Sequence, residues 1–308
     1  MSVNNIELLK EYYKRVCAPL IFVNEYVLDN CRNAKVYLYD FREEEELNNF
    51  KKVFQEYLPF YVKNFDRISR YKLSNIDQEI SDLLIKKANH IKKNEGIIPN
   101  RSIKNNGIYG EVYNDFYIRN ILENERLITY LSRRSYERPN SENKGIDIVA
   151  CTLKGEGLEI IFSESKFVTD VNSAKDNLKN DVETHVKKEY INNFMQFVIQ
   201  KQGEAIGERK LEINAKIDKF NDLMEEEDIT FIEALNQMKF SVKFVFFAVF
   251  NNDNRIPIFY EGKINEIIKD FDNKIKETGI NDYSIEVVFI PTFNTSMKLK
   301  EKMEEWDG

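Results

Sequence analysis

Two carboxylates and one lysine lie on either side of a glycine-rich turn. Asp147 opens one apolar run, Glu164 and Lys166 close the next, and residues 154–157 (Lys-Gly-Glu-Gly) separate the two runs. Carboxylate oxygens are the ligands that Mg²⁺ or Mn²⁺ prefers in proteins. Such an ion activates a bound water and neutralises charge on a phosphate, and a nearby lysine stabilises the charge that develops. These three residues therefore predict metal-assisted hydrolysis of a phosphodiester.

The two apolar runs are predicted to be the antiparallel strands of one hairpin. If residues 154–157 form its loop, Asp147 lies opposite Glu164, with Cβ atoms about 4.5–5.5 Å apart, and Lys166 shares their face. The rest of that face is apolar and consists of Val149, Cys151, Leu153, Leu158, Ile160 and Phe162. Two like charges that face each other need a compensating cation, which Lys166 and a divalent metal would supply. Gly145 falls opposite Lys166, and its missing side chain leaves room for a DNA backbone.

A fourth candidate, Glu111, lies in the first turn of a helix predicted over residues 110–122. Asp115, Ile118 and Leu122 follow on the same helical face. If that face packs on the strand pair, Glu111 points toward the carboxylates and becomes a metal ligand together with Asp147 and Glu164. A first-turn glutamate also stabilises the helix dipole without any catalytic role. Asp115 is expected to be an ordinary surface acid.

Each candidate also has a purely structural interpretation. A Glu-x-Lys pair on a strand is commonly an exposed charge pair, so the prediction depends on the combination of motif, turn and register. His90 and His185 are expected to be polar helix residues, and Cys151 a small buried apolar residue. Three cysteines and two histidines at irregular spacing argue against disulfides and against a zinc site. Several basic residues flank the candidate site and are candidates for phosphate contact: Arg133, Arg134, Arg138, Lys144, Lys175, Lys179, Lys187 and Lys188.

The overall charge of the chain limits how it could hold nucleic acid. The formal net charge of the 308 residues is −7, whereas proteins that hold DNA over a long footprint are usually basic. The excess acid lies outside residues 101–201, in which 15 basic and 15 acidic residues cancel. Either the DNA footprint is small or another protein does much of the holding. With no apolar run of 18 residues and no signal peptide, we expect a cytoplasmic protein without a membrane span.

The periodicity of apolar residues predicts an α/β fold in two regions. Residues 1–100 predict an N-terminal α+β region, and residues 101–308 a domain with a charged helical insertion at about 204–238. Within the second region the predicted order is helix, three strands, helix and strand, which suits a mixed sheet flanked by helices. The Val- and Phe-rich residues 240–250 predict a buried central strand. Further predictions are a strand at residues 20–27 and one long helix from 171 to about 201.

The motifs together resemble the core of the PD-(D/E)xK nucleases. The resemblance rests on Asp147 and Glu164-Ser165-Lys166, preceded by a helix that carries Glu111. More narrowly, Gly110-Glu111, Gly145-Ile-Asp147 and the run from Phe162 to Phe167 are similar to the HamA family, the nuclease subunits of the Hachiman anti-phage defence system. The similarity extends over roughly residues 60–180.

This resemblance implies a restriction-endonuclease-like PD-(D/E)xK core and a role in antiviral defence. It implies a Mg²⁺- (or Mn²⁺-) dependent deoxyribonuclease with Asp147, Glu164, Lys166 and Glu111 at its active site. It also implies a helicase partner, HamB-like, with which the chain degrades DNA. Residues 1–100 and 204–238 supply no predicted catalytic residue and are therefore the expected docking surfaces.

Two other functions fit parts of the sequence. A stand-alone restriction-type endonuclease would need its own element for recognising bases, and no helix-turn-helix or zinc module is recognisable. A non-catalytic adaptor with a nuclease-like fold would be expected to lose one of its active-site residues. The complete set of Asp147, Glu164 and Lys166 argues against the adaptor.

Overall fold

A computed structural model describes residues 5–22, 25–27, 34–39, 44–62, 71–95, 107–122, 129–133, 146–193, 210–251 and 258–292 of the chain. Its helices are α1 (Asn5–Tyr12), α2 (Ala18–Ile21), α3 (Glu44–Val62), α4 (Asp77–Glu95), α5 (Gly107–Tyr117), α6 (Val171–His185), α7 (Lys210–Glu227), α8 (Phe231–Gln237) and α9 (Ile258–Thr278). Two π-helical turns, Tyr13–Cys17 and Ile118–Leu122, continue α1 and α5.

The strands form one mixed sheet. They are β1 (Glu25–Val27), β2 (Ala34–Tyr39), β3 (Thr129–Arg133), β4 (Ile148–Lys154), β5 (Gly157–Val168), β6 (Ser241–Asn251) and β7 (Tyr283–Thr292). Their order across the sheet is β1-β2-β7-β6-β5-β4-β3. The four strands β2, β7, β6 and β5 run parallel, whereas β1 at one edge and β4 and β3 at the other pair antiparallel. The predicted mixed sheet flanked by helices is confirmed, and a PD-(D/E)xK core stays a prediction.

Strand β6 is the buried central strand that its composition predicts. It pairs in parallel with β5 on one side and β7 on the other. Only Lys243 and Asn251 of its residues are half-buried, and the others are buried. Both faces of such a strand are covered, so valine and phenylalanine can occupy every position. A fully buried phenylalanine contributes about 1.5–3 kcal/mol relative to an exposed one.

The hairpin of β4 and β5 has the predicted register. Leu153 pairs with Leu158, and the ladder continues to Ile148 and Ser163. The loop is shorter than predicted, because Lys154 and Gly157 are themselves paired. Gly155 takes a positive φ of 57° in this tight turn, where a residue with a side chain would be strained. Asp147 directly precedes β4, next to the strand end where Glu164 follows Ser163, and Gly145 lies outside the described residues.

Helices cover both faces of the sheet. Helices α1 to α5 pack on the face that includes Ile148, Ala150, Ile161 and Phe167. Helices α6 to α9 pack on the opposite face, which includes Val149, Cys151, Leu158, Ile160 and Phe162. Cys151 is fully buried there, as expected. Because strand residues alternate between faces, the direction of Phe162 also fixes the direction of Glu164 and Lys166.

The N-terminal region shares its sheet with the rest of the chain. Strand β2 pairs in parallel with β7, with Val36 opposite Val287. Tyr57 of α3 contacts Phe116 at the end of α5, with ring centroids 4.9 Å apart. The described part of residues 1–100 is therefore joined to the predicted nuclease region through one sheet and one core.

Two secondary-structure predictions differ from the structure. Residues 18–21 are helical, so the predicted strand over 20–27 is wrong at its start, whereas Glu25–Val27 is a strand. Helix α6 ends at His185, where the backbone bends at residues 186–187 before helical residues 188–193. The predicted insertion does contain helices, α7 and α8, which pack on the sheet through Ile213 and Phe231. In the part of the chain that is described, no helix has the length and apolar character needed to cross a membrane.

Candidate functional site

The end of β5 presents different chemistry on its two faces. Ser163 faces α5, with its Oγ 2.9 Å from Asn114 Oδ1. Glu164 and Lys166 face α6, on the same side as Phe162. Glu164 is 5% exposed, so its carboxylate lies in a nearly dry environment. This face of β5 therefore carries two ionisable groups at the end of an apolar surface, as the sequence predicts.

Lys166 is held between acidic groups from three elements. Its Nζ lies 2.6 Å from Asp181 Oδ2 of α6. Burial alone lowers the pKa of Lys166, but the negative charges of Asp181, Glu164 and Asp147 outweigh burial, so the pKa is raised. The lysine is therefore a cation, and it is close enough to all three carboxylates to be influenced by each.

Asp147 holds the backbone between the two ionisable residues of β5. Its Oδ2 accepts hydrogen bonds from Ser165 N–H at 2.9 Å and from Ser165 Oγ at 2.8 Å. Asp147 is only 4% exposed. The carboxylate of Asp147 therefore fixes the backbone segment from which Glu164 and Lys166 project. The structure brings Asp147, Glu164 and Lys166 together at one end of the hairpin.

A histidine from α6 lies against Glu164. His185 Nδ1 is 2.6 Å from Glu164 Oε1, and the imidazole is 7% exposed. The ring of Tyr190 lies over that of His185, with centroids 4.8 Å apart and planes inclined by 31°. The expectation that His185 is an ordinary polar helix residue is therefore wrong, because its side chain is buried within the candidate site.

Helix α6 is positioned by its cap and by its apolar stripe. Asp170 caps the helix by accepting hydrogen bonds from Asn172 N–H and Ser173 N–H, both at 2.9 Å. Leu178 and Val182 are fully buried against the sheet. Asp181 and His185 lie four residues apart and so share one side of the helix. The packing of α6 thus directs both side chains to the end of β5.

Glu111 is placed differently from the other predicted site residues. It lies on α5, which packs on the face of the sheet opposite α6, and its Oε2 accepts a hydrogen bond from Tyr61 Oη at 2.9 Å. Helix α5 comes very close to β5 at Gly110, where an added Cβ would be 3.2 Å from the carbonyl carbon of Lys166. These contacts place Glu111 near the end of β5, and its role as a metal ligand stays a prediction.

Asp115 is not the surface acid that the sequence predicts. It is fully buried and accepts a hydrogen bond from Tyr57 Oη at 2.6 Å. Arg119 Nε lies 3.7 Å from the same carboxylate, one turn further along the chain. The carboxylate of Asp115 therefore belongs to the internal contacts between α3 and α5.

Three side chains at this site could hold a metal ion. Glu164, Asp181 and His185 each offer one ligand atom, and these atoms lie within 4.8 Å of one another. The predicted set of Asp147, Glu164 and Glu111 overlaps this group only at Glu164. Helix α6 therefore supplies two potential ligands that the sequence-based site did not include.

A family model described as HamA matches residues 19–306, which is nearly the whole chain. The chain belongs to the HamA family. Membership in this family supports the assignment of the chain as a component of the Hachiman defence system. No curated protein and no solved structure matches the chain.

Sequence reasoning on this HamA-family chain missed Asp181 and His185. Both occupy the stripe of α6 that faces the sheet, at the spacing of Ala174, Leu178 and Val182. A charged residue and a histidine at core-facing positions of an amphipathic helix indicate a candidate functional site. This signal becomes specific only when α6 packs against the end of β5, a contact that the sequence pattern does not reveal.

The basic residues near the site have mixed positions. Lys175 and Lys179 of α6 form ion pairs with α9, with Nζ of Lys175 3.0 Å from Glu266 and Nζ of Lys179 3.0 Å from Asp270. These lysines connect two helices. Arg134, Arg138 and Lys144 lie outside the described residues, so phosphate contact by them stays a prediction.

Proposed function

We propose that this chain is a metal-dependent DNA nuclease, with Asp147, Glu164 and Lys166 at its active site. The observation that carries the proposal is the charged Lys166, held at the end of a buried strand among Asp147, Glu164 and Asp181. One partly buried ammonium within a group of carboxylates is the arrangement expected at a site that binds a phosphate and the water that hydrolyses it.

The donor groups fit a divalent cation. Three carboxylates surround the single ammonium of Lys166, so negative charge is in excess, and like charges this close are unfavourable without a counterion. The sequence predicts Asp147 and Glu164 as ligands, and both stay in the proposal. Glu111 also stays in the proposal as a predicted ligand, because Gly110 next to it lies against the backbone of Lys166.

Each residue of the site has a distinct role in this mechanism. A bound divalent cation supplies an activated water and neutralises charge on the scissile phosphate. Glu164 and Asp147 would help to bind that cation. Lys166 donates hydrogen bonds from Nζ to the phosphate oxygens or to the attacking water, and Asp181 keeps Nζ in position. Asp147 holds Ser165 and thereby the relative positions of Glu164 and Lys166.

We further propose that the substrate is DNA and that a helicase subunit presents it. The chain carries a net charge of −7, so its long-range attraction to DNA is weak. Its sequence contains no recognisable module for recognising bases. A helicase would bind the DNA and also restrain the nuclease. HamA-family membership agrees with action within a defence complex.

The direct test is plasmid degradation by the chain with and without its candidate helicase, in the presence of Mg²⁺. We expect degradation that requires the complex and is lost with Glu164→Gln. Full, unregulated cleavage by the isolated chain would favour the stand-alone restriction-type endonuclease. Complex formation with equal DNA degradation by wild type and Glu164→Gln would favour the non-catalytic adaptor.

A further inference from the structure

We infer that Asp181 and His185 of α6 bind a divalent metal ion together with Glu164 of β5. This inference rests on the proposed function, which gives the metal its purpose, and it assigns two ligands that the motif on β4 and β5 does not contain. It also predicts that Mn²⁺ binds more tightly than Mg²⁺.

The three side chains have the separation that one ion requires. Their ligand atoms lie within 4.8 Å of one another. Bonds of about 2.1 Å from one ion place its ligand atoms roughly 3–4 Å apart. Small rotations of these side chains would therefore bring all three atoms to one ion without moving β5 or α6.

The two ligands on α6 are held in place by the fold. Asp181 and His185 are one turn apart on the side of α6 that carries the buried Leu178 and Val182. The ring of Tyr190 lies against the imidazole, tilted by 31°, and limits its rotation. The ligand positions are therefore fixed by the same apolar packing that fixes the helix, as a preorganised metal site requires.

Burial and charge favour a cation at this point. Glu164 Oε1, Asp181 Oδ2 and His185 Nδ1 are all buried atoms. Two carboxylates lie there with Lys166, whose Nζ contacts Asp181. A divalent ion would add positive charge where carboxylates are concentrated, and binding requires the neutral form of the imidazole, with its Nδ1 lone pair directed at the ion.

The mixed ligand set changes the expected metal preference. Asp147, Glu164 and Glu111 offer only carboxylate oxygens, which suit Mg²⁺ as well as Mn²⁺. Asp181 and His185 add one imidazole nitrogen to the ligand set, and transition metals accept such a ligand more readily than Mg²⁺ does. We therefore expect Mn²⁺ to bind more tightly than Mg²⁺.

The test is Mn²⁺ binding to the full chain after chelator treatment, followed by electron paramagnetic resonance. Pulsed measurements detect the ¹⁴N of a directly coordinated imidazole. We expect that signal in the wild type, its loss in His185→Gln, and at least about tenfold weaker Mn²⁺ binding in both His185→Gln and Asp181→Asn. Circular dichroism and thermal unfolding establish that each variant is folded.

Two matched controls are available in the chain. His90 is exposed on α4 and Asp176 is exposed on α6, so His90→Gln and Asp176→Asn should leave Mn²⁺ binding and the ¹⁴N signal unchanged. If His185→Gln fails to fold, the wild-type ¹⁴N signal and the Asp181→Asn titration decide the question.

Wild-type protein that binds Mn²⁺ without a ¹⁴N signal, or does not bind it, would overturn the inference. Unchanged affinity in folded Asp181→Asn would do the same. Plasmid cleavage, measured separately, distinguishes this failure from failure of the proposed function. If the complex cleaves DNA but the imidazole signal is absent, only the assignment of His185 as a ligand is wrong. If the signal is present but the complex does not cleave DNA, the proposed nuclease function is wrong and the metal site remains supported.

Discussion

Lys166 Nζ lies 2.6 Å from Asp181 Oδ2, and this ion pair joins the last part of β5 to helix α6. The two groups are partly buried, with side-chain exposures of 23% and 16%. A lysine held this way loses little further conformational entropy when it contacts a substrate. The pair therefore gives α6 a direct role in positioning the amine that the proposed chemistry uses.

The first prediction concerns the two catalytic carboxylates. Asp147→Ala and Glu164→Ala should each reduce DNA cleavage by the complex at least about 100-fold, because each removes a group that acts on the reacting centre or fixes it. Far-ultraviolet circular dichroism should still show a folded protein. Glu183→Ala on the exposed side of α6 is the matched control and should cleave like the wild type. Wild-type cleavage by folded Glu164→Ala would remove this residue from the mechanism.

The second prediction concerns metal removal. Excess EDTA should abolish cleavage, and added Mg²⁺ or Mn²⁺ should restore it, since the proposed water activation depends on a divalent ion. Mn²⁺ should restore half of the activity at a lower concentration than Mg²⁺ if His185 is a ligand. Cleavage that persists in excess EDTA would contradict the metal requirement.

The third prediction concerns the close approach of α5 to β5. Gly110→Val should destabilise the protein by about 1–3 kcal/mol, because even an added Cβ would be 3.2 Å from the backbone of Lys166. The rate of DNA cleavage should also fall, because the added side chain displaces the segment of β5 that carries Lys166. Gly262→Ala in α9 is the control, because its added Cβ meets nothing within 4 Å. That control should be neutral or stabilising by up to about 1 kcal/mol. Equal unfolding midpoints for Gly110→Val and the wild type would contradict the packing argument.

The fourth prediction concerns the cap of α6. Asp170→Ala should lower the free energy of unfolding by about 1 kcal/mol, because it removes the acceptor for two backbone N–H groups. Asp170→Asn keeps a side-chain acceptor, so its free energy of unfolding should fall less than that of Asp170→Ala. Chemical denaturation of the two variants measures the difference, and equal loss in both would contradict a capping role.

The cap should also give a pH dependence of known sign. Hydrogen bonds, first of all from Ser173 N–H, lower the pKa of Asp170 below its ordinary value of 3.8. The folded state therefore favours the carboxylate, so its contribution to stability is present above the unfolded pKa and is lost as the pH falls through the folded pKa. The difference in stability between wild type and Asp170→Ala should thus shrink in acid.

Local patterns were enough to predict the hairpin and the central strand. The glycine turn and the alternation of apolar residues determine the register that pairs Leu153 with Leu158. The run of valine and phenylalanine identifies β6 as a central parallel strand. Such a strand is buried on both faces, so its apolar residues need not alternate with polar ones. These features depend on neighbours in sequence, which is why the sequence alone reveals them.

Features that depend on distant parts of the chain were not predictable in the same way. Asp115 is buried because Tyr57, 58 residues earlier, supplies its hydrogen bond. Strand β2 joins the sheet by pairing with β7 at the other end of the chain, and a six-residue strand carries no mark of its partner. His185 becomes part of the site only because α6 folds back over Glu164.

The cleavage activity of Lys166 variants in the helicase complex tests the central claim most directly. Lys166→Met keeps most of the side-chain volume but removes the ammonium, and Lys269→Met on the exposed surface of α9 is its control. With plasmid DNA and Mg²⁺, we predict that folded Lys166→Met loses at least about 100-fold in cleavage rate while Lys269→Met cleaves like the wild type. Wild-type cleavage by folded Lys166→Met would contradict the assignment of this site as the nuclease centre.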